Sequence, residues 1–155
     1  MRIVVLLALA ACAKASDGDS CPALSVTVDG VPLPAMTHGY ALSSHVNGRV
    51  QWVVDVSTVD RGCDRYMAKD GRILEDGEQN VSASIGVTST VGIANLAVTS
   101  DRVNIVGAPP SKPGDKLALC VTDASFGGEF DVYKGKTIAM TGKLEGTYCG
   151  EQKNN

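Results

Sequence analysis

Residues Met36–Val56 read MTHGYALSSHVNGRVQWVVDV, and this stretch decides the fold class. Met36, His38, Tyr40 and Leu42 fall at a period of two, as do Val50, Trp52, Val54 and Val56 after a break. That period turns successive side chains to opposite faces of a strand, so each set shares one face. Between the sets stands Asn47-Gly48, the pair that a two-residue type I′ turn favours because both central residues need positive φ. The stretch therefore predicts an antiparallel hairpin with an apolar face.

Working toward the N-terminus, Leu24, Val26 and Val28 line one side of an earlier strand closed by Asp29-Gly30 and by Pro32 and Pro34. Toward the C-terminus the alternation breaks from Ser57 to Asp70. Val59, Cys63, Tyr66 and Met67 stand there at helical spacing, with Ser57 and Asp60 as a capping pair and Gly62 in the middle. This predicts a short helix with Cys63 on its buried side. Residues 74–80, rich in Asp, Glu and Gly, read as a solvated loop.

Alternation returns with Val81, Ala83, Ile85 and Val87, and further strands are expected near 91–99 and 102–107. After a connection from Ala108 to Asp115, Leu117, Leu119 and Val121 share a face. A strand near 129–133 then leads into Ile138, Met140, Leu144 and Tyr148. The pattern is an all-β antiparallel sandwich or flattened barrel of about eight or nine strands with one short helical insertion.

The chain has 155 residues, of which 44% are hydrophobic and 20% charged, enough for one core and one domain. Its 14 Lys+Arg against 17 Asp+Glu form no basic block, which argues against nucleic acid as a partner. The N-terminus runs from Met1-Arg2 through an apolar stretch, Ile3 to Ala11, too short to span a bilayer. Leu9-Ala10-Ala11-Cys12 resembles the lipobox of bacterial lipoproteins. That resemblance implies a signal peptide over residues 1–11, lipidation of Cys12 and an outer-membrane protein facing the periplasm or the surface. Residues 12–20 would then be the lipidated cysteine and a flexible tether, 21–150 the β domain and 151–155 a polar tail. Ala13-Lys14-Ala15 offers the alternative of cleavage after Ala15 and a soluble secreted product.

Either scheme leaves Cys21, Cys63, Cys120 and Cys149, an even set that predicts two disulfides of undetermined pairing in an oxidising compartment. No C-x-x-C pair accompanies them, so neither zinc nor a redox motif is expected. The segment from Lys136 to Cys149 is similar to small β-rich lipoproteins of bacterial envelopes. Lysozyme-inhibitor lipoproteins share the same general build, which implies inhibition of a cell-wall hydrolase as an alternative role.

With two histidines, and no H-E-x-x-H or G-x-S-x-G, the chain offers little for acid–base, metal or serine-hydrolase chemistry. His38 is expected to point inward, as a core residue or the wall of a ligand pocket. Trp52 is expected in the core or as a platform for a sugar ring. His45 is expected at an exposed hairpin tip. Asp55, Glu129 and Asp131 are the acids in strand-like segments. The expectation is a non-enzymatic module without cofactor or metal, tethered to a membrane by its lipid and binding an envelope protein or polymer.

Overall fold

The computed structural model describes residues 20–68, 73–94, 96–129 and 131–153. The expected leader, the lipobox with Cys12, the Ala15 site and most of the tether lie outside the described residues. Ten strands are present among the described residues: β1 Ser25–Val28, β2 Val31–Pro32, β3 His38–Val46, β4 Arg49–Ser57, β5 Asn80–Ile85, β6 Thr90–Ile93, β7 Leu96–Thr99, β8 Val103–Val106, β9 Lys116–Gly127 and β10 Thr137–Glu151. One helix, α1, covers Gly62–Met67. The all-β expectation holds, with the helical insertion where it was placed.

The hairpin at Met36–Val56 forms as read. Asn47 and Gly48 both take positive φ, 51° and 75°, and the register runs from Val46↔Arg49 to His38↔Ser57. Asp29 and Gly30 turn β1 into β2 in the same way. Two strand expectations need correction. The run 91–99 is a third tight hairpin, β6 and β7, reversed at Ala94 with φ 51°. The segment expected as a strand near 129–133 holds a single 3₁₀ turn, Asp131–Tyr133.

All ten strands belong to one sheet, in the order β2-β1-β10-β3-β4-β5-β6-β7, with β9 on the other side of β10 and β8 beyond it. The long β10 organises it. Its first half pairs antiparallel with β1, its second half parallel with β3, and its opposite edge with β9 along almost its whole length. The sheet curls until β4 and β5 stand against β8 and β9. It remains open rather than closing into a barrel.

Between the two layers lies the core, built from one parity of each strand: Val54 and Val56, Val81 and Ala83, Val91 and Ile93, Leu117 and Leu119, Ile138 and Met140. Each such side chain removed from water contributes about 1.5–3 kcal/mol. Parallel β3 and β10 meet closely because neither carries a side chain at the crossing. A Cβ on Gly39 would overlap the Glu145 carbonyl oxygen, and one on Gly146 would stand 2.6 Å from the Tyr40 carbonyl carbon.

Disulfides join Cys21 to Cys120 and Cys63 to Cys149. The first ties the segment before β1 to β9, and the second ties α1 to β10. The C-terminal strand runs one residue past the boundary expected for a polar tail, and the Gln152 N–H donates to the Ser43 carbonyl at 2.7 Å.

Candidate functional site

Because Val54, Val56, Val81 and Ala83 point into the core, their neighbours along β4 and β5 point out, and apart from Val53 these are polar: Gln51, Asp55 and Ser57 on β4, Asn80, Ser82 and Ser84 on β5. The register sets Tyr40, Asp55, Ser82, Gly92 and Ala97 side by side across β3, β4, β5, β6 and β7. The last three are small. At Gly92 a Cβ would come within 2.5 Å of the Leu96 carbonyl oxygen and 2.8 Å of Ser82 Oγ. A face with large residues at one end and small ones at the other is concave, and it forms a cleft of about 560 Å³.

Helix α1 supplies the raised wall. Tyr66 is 3% exposed and its ring stacks on Tyr40, centroids 5.4 Å apart at 28°. The Tyr66 hydroxyl donates to Asp55 Oδ2, on the cleft floor. The Tyr40 hydroxyl donates to Asp60 Oδ1 and accepts the Gly62 N–H at 2.9 Å. Asp60 Oδ1 accepts the same N–H at 3.1 Å. The expected capping pair does not form, because Ser57 Oγ donates to Glu78 and accepts the Val59 N–H. Asp60 holds the first helical N–H, and Gly62 opens the helix with φ 64° instead of interrupting it.

The tyrosine hydroxyl, and then the Gly62 N–H, hold the Asp60 carboxyl below the usual carboxylate range. Burial, followed by the bond to Asp60, pushes the Tyr40 hydroxyl up. Replacing Tyr40 by phenylalanine is therefore expected to raise the Asp60 pKa toward that of a free aspartate, readable by NMR titration of its carboxyl carbon. An unchanged Asp60 titration would contradict this assignment.

Behind this wall the expected solvated loop is not solvated at Glu78. The Glu78 side chain is 0% exposed and pairs with Arg61, itself 4% exposed. Arg61 Nε donates to Glu78 Oε1 at 3.1 Å, Ser57 Oγ donates to the same oxygen at 2.6 Å, and the Glu75 N–H donates to Oε2 at 2.9 Å. Burial pushes the Glu78 carboxyl up, but the bonds from Arg61, Ser57 and Glu75 together outweigh it and hold it below its ordinary range.

His38 stands at the edge of this cluster. Its side chain is 36% exposed and lies 3.9 Å from Asp60, which corrects its expected place in the core. The face it shares with Tyr40 and Leu42 is covered by α1, whereas Ala41, of opposite parity, enters the main core. Trp52 takes the inward parity and meets Tyr148 edge-on at 5.8 Å, so it is no platform on the cleft. His45 is exposed near the hairpin tip, as expected, and bonds Glu151 at 2.8 Å. Of the three strand acids, Asp55 lines the cleft. Glu129 is exposed in a connection. No group of three or more His, Cys, Asp or Glu is gathered as for a metal ion among the described residues.

Sequence reasoning missed Tyr40, Tyr66, Arg61, Glu78 and Asn80 as members of one site. The polar parity of β5 was visible; its convergence with a helix 14 residues upstream of Asn80, at Tyr66, was not. The disulfides place the folded domain in an extracytoplasmic, oxidising setting. No helix among the described residues is long and apolar enough to cross a membrane. Comparison with known protein families, curated proteins and solved structures finds no match for this chain.

Proposed function

We propose that the chain is an envelope lipoprotein of the outer membrane, held by lipid on Cys12, whose β domain is a non-enzymatic binding module using the outer-face cleft. The lipobox Leu9-Ala10-Ala11-Cys12 carries this reading, and the two disulfides support the export that it requires. Cys21, Cys63, Cys120 and Cys149 are consumed in two bonds, so Cys12 is the fifth cysteine, standing outside them and inside the lipobox. If the leader is cut before Cys12, thioether lipidation accounts for that fifth thiol; if the chain is cut after Ala15, Cys12 leaves with the leader. Two or three acyl chains hold a protein on a bilayer without help from its surface, at about 0.8 kcal/mol per buried methylene. The domain is then free to use its cleft for a ligand.

The cleft supports binding over catalysis because Asp55, which lines it, and the carboxylates beside it are already engaged as hydrogen-bond acceptors. Asp55 and Asp60 each take a tyrosine hydroxyl, and Glu78 is sealed against Arg61. Changing Cys12 to serine is expected to move the protein from the membrane fraction to the soluble fraction with its fold unaltered. Retention of the Cys12→Ser protein on membranes would overturn the lipid anchor, and release of the unaltered protein after cleavage at Ala15 would establish a secreted one.

A further inference from the structure

The geometry points to a neutral, polyhydroxylated ring, a sugar unit of a glycan, as the occupant of the outer-face cleft. This inference rests on the binding-module reading and names its ligand class. On the floor, Asp55 and Ser82 are direct cross-strand partners, and Ser57 and Asn80 form the next pair. Such partners hold their Cβ atoms about 4.5–5.5 Å apart, a spacing on which neighbouring hydroxyls of one ring can be met together. Asp55 accepts hydrogen bonds. The Ser82 hydroxyl and Asn80 amide both donate and accept, are half-buried, and take no side-chain partner among the described residues.

Sugars are polar at the ring edge and apolar on the ring faces, and the walls match this. Tyr40 stands at one end of the row, while Val53 and Ala97 add apolar surface beside the polar floor. The cleft volume, about 560 Å³, lies within the range of small-ligand sites. Charge decides against acidic ligands. Arg61 is committed to Glu78, and the acids beside the cleft, Asp55 and Asp60, repel phosphates and uronates. An organic cation would prefer carboxylates free of hydrogen bonds, whereas both of these already accept from tyrosine hydroxyls.

The test uses the full chain with both disulfides intact, in a sugar-free detergent. It is titrated with maltotriose, cellotriose and triacetylchitotriose, with choline and trigalacturonate as cationic and anionic probes, while backbone amide signals are followed. At least one neutral trisaccharide should shift the Asp55 and Ser82 amides saturably at millimolar or lower concentration. Ser82→Trp, which fills the low floor of an outward strand position, should weaken that binding by at least about tenfold while leaving the melting temperature in place. Asp55→Asn keeps the shape, removes the charged acceptor and should weaken it in the same direction.

If none of the neutral sugars shifts these amides at about 10 mM, or if only choline or trigalacturonate does, the sugar assignment falls. Saccharide shifts that map elsewhere and survive Ser82→Trp overturn the cleft as the site but leave a binding module. New anomeric signals from cleaved trisaccharide would overturn the non-enzymatic reading itself.

Discussion

Replacing Arg61 by methionine is expected to cost about 3–5 kcal/mol of folding stability at neutral pH, because it strands the Glu78 carboxylate in a site closed to water. Against a total of about 5–15 kcal/mol for a domain of this kind, that is enough to leave a visible unfolded fraction. The remaining partners, Ser57 and the Glu75 N–H, do not supply the missing positive charge.

The pH dependence identifies the cause. In the unaltered protein Glu78 titrates below its unfolded value, so its stabilising contribution is present above the ordinary carboxylate range and is lost as pH falls through it. In Arg61→Met the sign reverses, since burial now favours the protonated acid. The gap between variant and parent should therefore narrow between about pH 7 and about pH 4. Pairing Arg61→Met with Glu78→Leu should recover most of the loss, as an apolar pair of similar volume commonly does. Urea unfolding at several pH values measures all of this. A pH-independent deficit would show that Arg61 acts by packing alone.

Removing the disulfide at Cys63 and Cys149, both replaced by alanine, is expected to cost about 4–5 kcal/mol. The bond closes a loop of 86 residues, and loop-closure entropy in the unfolded chain sets that scale. Its effect on the folded state is local. Helix α1 has only six residues, too few to persist unaided, and this bond is what fastens it over β3 and β10. Amide exchange at residues 62–67 should accelerate far more than exchange in β9. Removing Cys21 and Cys120 opens a loop of similar length, 99 residues, and should cost a comparable amount while leaving α1 protected. Equal exchange at α1 in both double variants would contradict the role assigned to Cys63.

What could be read from the residues follows from how local the determining physics is. The Asn47-Gly48 hairpin was legible because two adjacent residues tolerate the positive φ that the turn needs. The reversal at Ala94 was not, because an alanine with φ 51° carries no turn signature and only Asn95 interrupts an apolar run that resumes at Leu96. His38 was assigned to the right strand parity and to the wrong layer. Both parities of β3 are buried, Ala41 toward the opposite layer of the sheet and Leu42 on the face that carries α1, so alternation alone could not say which faced the core.

Gly39 and Gly146 showed only as gaps in a pattern, and their purpose depends on a parallel contact between strands at opposite ends of the chain. Glu78 sat in an acidic stretch indistinguishable from solvated loop, and its partner is 17 residues away. The cysteine count announced two bonds without announcing which. The cleft is the sum of these non-local facts. A polar strand face was visible, but the wall that makes it a cleft is placed by the bond from Cys63 to Cys149 and by the tyrosine pair.

The proposed export and tethering of the domain through Cys12 is tested most directly by the intact mass of the mature protein from the membrane fraction, taken with and without reduction. The predicted mass begins at Cys12, carries about two or three acyl chains, and rises on reduction by two hydrogens for each of the two disulfides. A mass that begins at Ser16 without lipid, or one that reduction leaves unchanged, would contradict it.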